Sequence, residues 1–122
     1  MARVLIVDDS PTEIHVLSGI LQKNGHEVDS ADSAEAGIAR AKEAKPELIL
    51  MDVVMPGMNG FQATRALTKD PETQHIPIII VTTKDQQTDR VWGLRQGAKD
   101  YITKPVEEAE LVNKINAVLA GA

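Results

Sequence analysis

Leu48-Ile49-Leu50-Met51-Asp52 is a run of four apolar residues that ends in a carboxylate. Two other segments have the same form. Val4-Leu5-Ile6-Val7 runs into Asp8-Asp9, and Ile78-Ile79-Ile80-Val81 runs into Thr82-Thr83. None of the three alternates apolar with polar residues. Each therefore predicts a strand buried on both faces, as in a parallel sheet flanked by helices. Glu27–Ala31 and Asp100–Thr103 are weaker strand candidates.

Helical patterns fill the intervals. Ser10-Pro11-Thr12-Glu13 spells a capping box with proline at the first helical position. Ile14, Leu17, Ile20 and Leu21 then share one helical face, and Gly25 stands where a left-handed cap ends that helix. A second helix is predicted from Ala34 to Glu43, with Ile38 and Ala41 inward and Pro46 beyond it. A third starts near Asn59-Gly60-Phe61 and stops before Asp70-Pro71. A fourth covers Asp85–Gln96, with Val91 and Leu94 inward and Gly97 as cap. A fifth follows Pro105, with Leu111, Ile115, Val118 and Leu119 on one stripe. Strand-then-helix units of this kind predict an α/β layered domain whose right-handed crossovers put helices on both faces of the sheet. The expectation is one domain over residues 1–122, with no linker, repeat or effector domain.

Composition narrows the function. The 122 residues are 43% hydrophobic but only 2% aromatic, so the core is aliphatic. Thirteen basic and 18 acidic residues give a formal charge of −5, which argues against nucleic-acid binding. There is no cysteine, and hence no disulfide, thiolate catalysis or cysteine–metal site. No stretch approaches the roughly 18 apolar residues of a membrane span. The N-terminus lacks a secretory pattern, and the expected location is cytoplasmic.

The chemistry collects where the strands end. Ligands of open α/β sheets bind outside the carboxyl ends of the strands. Asp8, Asp9, Asp52, Thr82 and Lys104 should therefore converge at one rim. Three gathered carboxylates repel one another by several kcal/mol at an effective dielectric of about 20, so the pocket calls for a cation. An all-oxygen donor set favours a hard ion such as Mg²⁺, which keeps coordination room for a phosphate oxygen. Asp52, on an inner strand, can act as a covalent nucleophile toward phosphorus. Lys104 would then neutralise phosphoryl oxygens and the Thr82 hydroxyl would donate to one.

Each residue also has a plainer reading. Asp8-Asp9 can start a helix, Asp52 can serve the turn at Met55-Pro56-Gly57, Thr82 can close a strand, and Lys104 can be a solvated charge. Their joint placement favours the site. Tyr101 reads as a half-buried core residue. Trp92 lies one position off the inward stripe of the fourth helix and suits an interface or packing on a neighbour. His15, His26 and His75 have no metal-ligand spacing, and Met55 and Met58 suit loop filling.

The motifs Val7-Asp8-Asp9-Ser10, Leu50-Met51-Asp52-Val53-Val54-Met55-Pro56-Gly57-Met58-Asn59-Gly60, Val81-Thr82 and Asp100-Tyr101-Ile102-Thr103-Lys104-Pro105 occur in order along the chain. In them the sequence resembles the CheY-like receiver domains of two-component response regulators. Asn59-Gly60-Phe61-Gln62-Ala63-Thr64-Arg65 and Val81-Thr82-Thr83-Lys84-Asp85 resemble in particular the stand-alone twitching-motility regulators of type IV pilus chemosensory systems, the PilH group. The resemblance implies a flavodoxin-like (βα)5 fold with strand order 2-1-3-4-5. It implies that Asp52 accepts a phosphoryl group from a phosphohistidine of a sensor histidine kinase. It implies Mg²⁺ (or Mn²⁺) held directly by Asp9, Asp52 and the Val54 backbone carbonyl, with Asp8 acting through water. Lys104 would contact the phosphoryl group, and its peptide bond to Pro105 would be cis. Thr82 and Tyr101 would move together, and the face of the fourth helix, fifth strand and fifth helix would change its affinity for an output protein. The expected state is a monomer.

Two points depart from the commonest family pattern. Thr83 stands where many receivers carry a small residue, so its bulk narrows access to Asp52. Val54 and Lys84 occupy positions that often tune hydrolysis, and Val54 offers no donor for an attacking water. The expectation is a phosphoprotein switch rather than an enzyme, with Thr82 to about Asp89 as the moving element. One alternative is a phosphate sink for a shared kinase with no output partner. Another is a Mg²⁺-dependent phosphohydrolase, disfavoured because Val54 stands where a second Asp is needed and no cap insertion exists. A nucleotide-binding module is weaker still, because Asp8-Asp9-Ser10-Pro11 is not a glycine-rich loop.

Overall fold

The computed structural model describes residues 1–121. Five strands and five helices alternate: β1 (Arg3–Val7), α1 (Pro11–Lys23), β2 (Glu27–Ala31), α2 (Ala34–Ala44), β3 (Leu48–Met51), α3 (Gly60–Lys69), β4 (Ile78–Thr82), α4 (Gln87–Arg95), β5 (Asp100–Thr103) and α5 (Glu108–Leu119). The strands form one parallel sheet in the order β2-β1-β3-β4-β5. That is the order expected of the flavodoxin-like fold. Both weaker strand candidates form, one at each edge of the sheet.

The continuous apolar runs follow from burial on both faces. Successive side chains of a strand point to opposite sides. Val4 and Ile6 of β1 pack with Leu48, Leu50, Ile79, Val81 and Ile102 under Leu17, Leu21, Leu111 and Ile115 of α1 and α5. Leu5 and Val7 pack with Ile49, Met51 and Ile78 under Ala34, Ala41, Ala63 and Leu67 of α2 and α3. A polar residue at any of these positions would be buried on one face or the other. The helix stripes predicted for α1, α2 and α5 face inward, with Ile14, Ile20, Ile38, Val118 and Leu119 only partly covered.

Helix α4 departs from its predicted face. Val91 and Leu94, read as inward, are exposed, and Gly93 is the buried residue. A Cβ on Gly93 would meet Ile80 at 2.7 Å and Phe61 and Tyr101 at 3.2 Å. The helix thus lies against the small cluster of Val53, Phe61, Ile80, Ala98 and Tyr101 through a residue with no side chain. That close approach turns Val91, Trp92 and Leu94 out to solvent. Helix α4 also starts at Gln87 and α5 at Glu108, each two residues later than the sequence suggested. No helix among the described residues is long and apolar enough to cross a membrane.

Candidate metal and phosphoryl site

Strand ladders carry three acidic residues to one rim. The Asp8 amide donates to Ala31 O at 3.1 Å, and the Asp52 amide donates to Val7 O at 2.9 Å. Each residue thus continues the sheet's hydrogen bonding just past its own strand. Carboxylate oxygens of Asp8, Asp9 and Asp52 lie within 4.8 Å of one another. Asp8 and Asp52 are buried, and Asp9 is exposed.

The loop after Asp52 folds back tightly. The Gly60 amide donates to Val53 O at 3.0 Å, so the start of α3 lies directly against β3. A Cβ on Gly60 would sit 1.8 Å from the Asp52 carbonyl oxygen. Asn59 caps α3 by accepting from the Gln62 amide at 2.9 Å, and the Gln62 side chain returns a bond from the Asn59 amide. Gly57 takes the turn's positive φ of 75°. Met55 is buried beside this loop and Met58 packs near it, filling space as expected.

Lys104 reaches the cluster from beyond β5. Its amide donates to Thr82 O at 2.7 Å, and its bond to Pro105 is cis. Its Nζ donates to Asp8 Oδ2 at 2.7 Å and lies 3.7 Å from Asp52 Oδ2 and 3.7 Å from Glu13 Oε2. The Lys104 side chain is almost wholly buried, so it is no solvated charge. Burial opposes its ionisation. The hydrogen bond to Asp8 and the charges of Asp52, Asp8 and Glu13 outweigh that, and its pKa is raised. Asp52 is pushed above the usual carboxylate range, first by burial and then by Asp8. Lys104, Thr82 and the Val53 amide oppose that rise.

Thr82 is fully buried at the end of β4, and its Oγ1 accepts from the Lys84 amide at 3.4 Å. The Lys84 carbonyl in turn accepts from the Tyr101 hydroxyl at 2.7 Å. Thr82, the loop before α4 and Tyr101 therefore form one hydrogen-bonded chain. Tyr101 is fully buried rather than half-buried, and burial, with Asp89, Asp52 and Asp85 nearby, pushes its phenol up to about 12. Thr83 and the Val54 side chain are exposed beside the rim.

The structure brings together Asp8, Asp9, Asp52, Thr82 and Lys104, with Tyr101 one hydrogen-bonded step away. The histidines stand outside. His15 and His75 are exposed, and His26 Nδ1 accepts from the Ala2 amide at 3.1 Å. Sequence reasoning missed Glu13 as a partner of Lys104, because the cap motif gave it another role. It also missed Asp100, whose Oδ1 accepts from Lys114 Nζ at 2.9 Å and lies 3.5 Å from Arg90.

The donor set fits a hard divalent cation. All three side chains offer oxygen, one of the three is open to solvent, and a cation among them would offset their mutual repulsion.

Residues 4–116 match the response regulator receiver domain family. The chain is 64% identical over 121 residues to the protein PilH of Pseudomonas aeruginosa, covering 99% of this chain and 100% of that one. It is 38% identical over 117 residues to the response regulator PleD of Caulobacter vibrioides, 96% of this chain but 26% of PleD. Among solved structures, the chemotaxis protein CheY4 of Vibrio cholerae superposes with a TM-score of 0.90 at 32% identity, over 97% of this chain and 98% of that one. A CheY-like receiver domain protein of Methanospirillum hungatei also gives 0.90 at 32% identity, over 98% and 94%. The chain belongs to the response regulator receiver domain family.

Proposed function

We propose that this chain is a phosphorylation switch in which Asp52 accepts a phosphoryl group from the phosphohistidine of a sensor histidine kinase. One observation carries the reading: the buried Lys104 ammonium stands 2.7 Å from Asp8 and 3.7 Å from Asp52, beside a third carboxylate. A carboxylate oxygen of Asp52 attacks phosphorus, the bond from phosphorus to the donor imidazole nitrogen breaks, and that nitrogen keeps the electron pair and takes a proton. Asp8, Asp9, Asp52 and the Val54 carbonyl are the residues assigned to hold Mg²⁺ or Mn²⁺. When bound, the ion supplies positive charge for the phosphoryl oxygens. Lys104 meets those oxygens from the other side, and Thr82 donates its hydroxyl proton to one of them.

The modified state adds close to two negative charges and new acceptors. Thr82, whose hydroxyl faces the Asp52 carboxylate in the unmodified state, then turns to a phosphoryl oxygen, and the bond from Lys84 to Thr82 is the contact given up. The chain from Thr82 through Lys84 to Tyr101 links that loss to α4 and β5. The output surface is assigned to α4, β5 and α5, where Val91, Trp92 and Leu94 are exposed. The protein acts as a switch rather than a turnover enzyme, as one receiver domain over residues 1–122. It works as a monomer in the cytoplasm. The likeness to PilH along the whole chain supports a place in type IV pilus or chemotaxis-like motility signalling. The test is phosphotransfer from candidate histidine kinases to wild type and to Asp52→Ala, with and without a chelator. Label on Asp52→Ala, or transfer that survives chelation, refutes the assignment.

A further inference from the structure

Helix α1 is capped by only half of the box that Ser10-Pro11-Thr12-Glu13 spells. Ser10 Oγ accepts from the Glu13 amide at 3.3 Å, but the Ser10 amide donates to Asp8 Oδ1 at 2.9 Å. The donor that a Glu at this position takes in a complete box is already in use. The Glu13 carboxylate instead faces Lys104, with Oε2 3.7 Å from Nζ. The ammonium therefore stands among three anions: Asp8 in hydrogen-bond contact, with Asp52 and Glu13 equally distant beyond it. Of those three, Glu13 alone lies outside the carboxylate cluster that suits a cation.

We propose that Glu13 is a positioning residue for Lys104, a counter-anion that holds the ammonium back from Asp52 and so sets how readily the site accepts an anionic phosphoryl donor. The inference rests on the reading of Asp52 as phosphoryl acceptor. Asp8 and Asp52 would share their charge with a cation held in the cluster, and their hold on Lys104 would loosen. Glu13 keeps its full charge and its position on the first turn of α1. To reach phosphoryl oxygens on Asp52, Lys104 must leave it.

Glu13→Gln deletes the charge, keeps the shape and leaves the backbone bond to Ser10 Oγ in place. A small donor such as acetyl phosphate or phosphoramidate, at saturating Mg²⁺, avoids any protein contact that a change on α1 would disturb. Removing one unit charge 3.7 Å from the Lys104 ammonium, screened by its one-third exposure, should raise kcat/KM for Asp52 phosphorylation about threefold to tenfold. The gain should appear in KM, with kcat within about twofold of wild type. Glu13→Asp, which keeps the charge, should fall between the two. In metal-free protein the side-chain NMR signal of Lys104, assigned with Lys104→Arg, should move in Glu13→Gln and stay in Glu110→Gln on the exposed face of α5. A wild type phosphorylated on Asp52 with Glu13→Gln unchanged or slower, or with the Lys104 signal unmoved, overturns the inference alone. A wild type that takes no phosphoryl group on Asp52 overturns the parent reading and this inference together.

Discussion

Replacing Gly60 by alanine should damage this protein out of proportion to the single methyl group added. Gly60 has no unusual backbone angle, so the conformation itself would admit alanine. Space does not. The new Cβ would sit 1.8 Å from the Asp52 carbonyl oxygen, 2.7 Å from its carbon and 2.8 Å from the Val53 Cα. All three are backbone atoms, so no side chain can swing aside. The start of α3 has to move off the end of β3 by about 1 Å or more, at the upper end of the cost of overpacking, about 3 kcal/mol. For a domain of this size that corresponds to a fall in Tm of roughly 10 to 15 °C. The displaced backbone is that of Asp52, so phosphoryl transfer should fall at least about tenfold even at a temperature where the variant is folded. Gly19→Ala is the matched control. Nothing lies within 4 Å of its added Cβ, and it sits at an exposed position inside helix α1, so it should stabilise by about 0.5 to 1 kcal/mol. Thermal unfolding by circular dichroism and phosphorylation by a small donor read both effects. A Gly60→Ala protein that melts within 2 °C of wild type, at about that precision, and takes up phosphoryl normally would refute the close-approach argument.

Three further outcomes follow from the charges. Asp52 is raised by burial, so ionising it costs stability; that cost is absent below its unfolded value near 3.8 and complete once pH passes the folded value. Asp52→Asn should therefore be more stable than wild type at neutral pH without divalent ions, with the gap closing in acid; equal denaturation midpoints at pH 7 count against it. Asp100 has the opposite sign. Burial works against its charge, but Lys114, the Tyr101 amide and Arg90 prevail and hold it below 3.8, so its stabilisation is present above 3.8 and lost as pH falls through the folded value. Asp100→Asn should cost about 1 kcal/mol at pH 7 and nothing once both forms are protonated, read by urea unfolding across pH. Lys104→Ala strands Asp8 and Asp52 without their shared cation and should cost about 3 kcal/mol in chelator. Millimolar Mg²⁺ should then raise the variant's Tm more than the wild type's, and an equal rise would show that the ion and Lys104 do not answer the same charge.

The linear order of residues settled whatever depends on neighbours along the chain. Leu48–Met51 and Ile78–Val81 had to be strands covered on both faces, because an apolar run without alternation leaves no face for water. Asp8, Asp9, Asp52, Thr82 and Lys104 could be assigned to one rim, because every parallel strand ends at the same side of its sheet. The three-dimensional packing decided what depends on distance between elements. Periodicity marked Val91 and Leu94 as inward, yet Gly93 won that face because only a bare backbone fits against Ile80, Phe61 and Tyr101. The cap motif spelled a local role for Glu13, yet Asp8 took the donor and sent that carboxylate to Lys104. Side-chain direction within an element is written in its spacing. Which partner it meets is set by how closely two elements approach, and that is a property of the assembled fold.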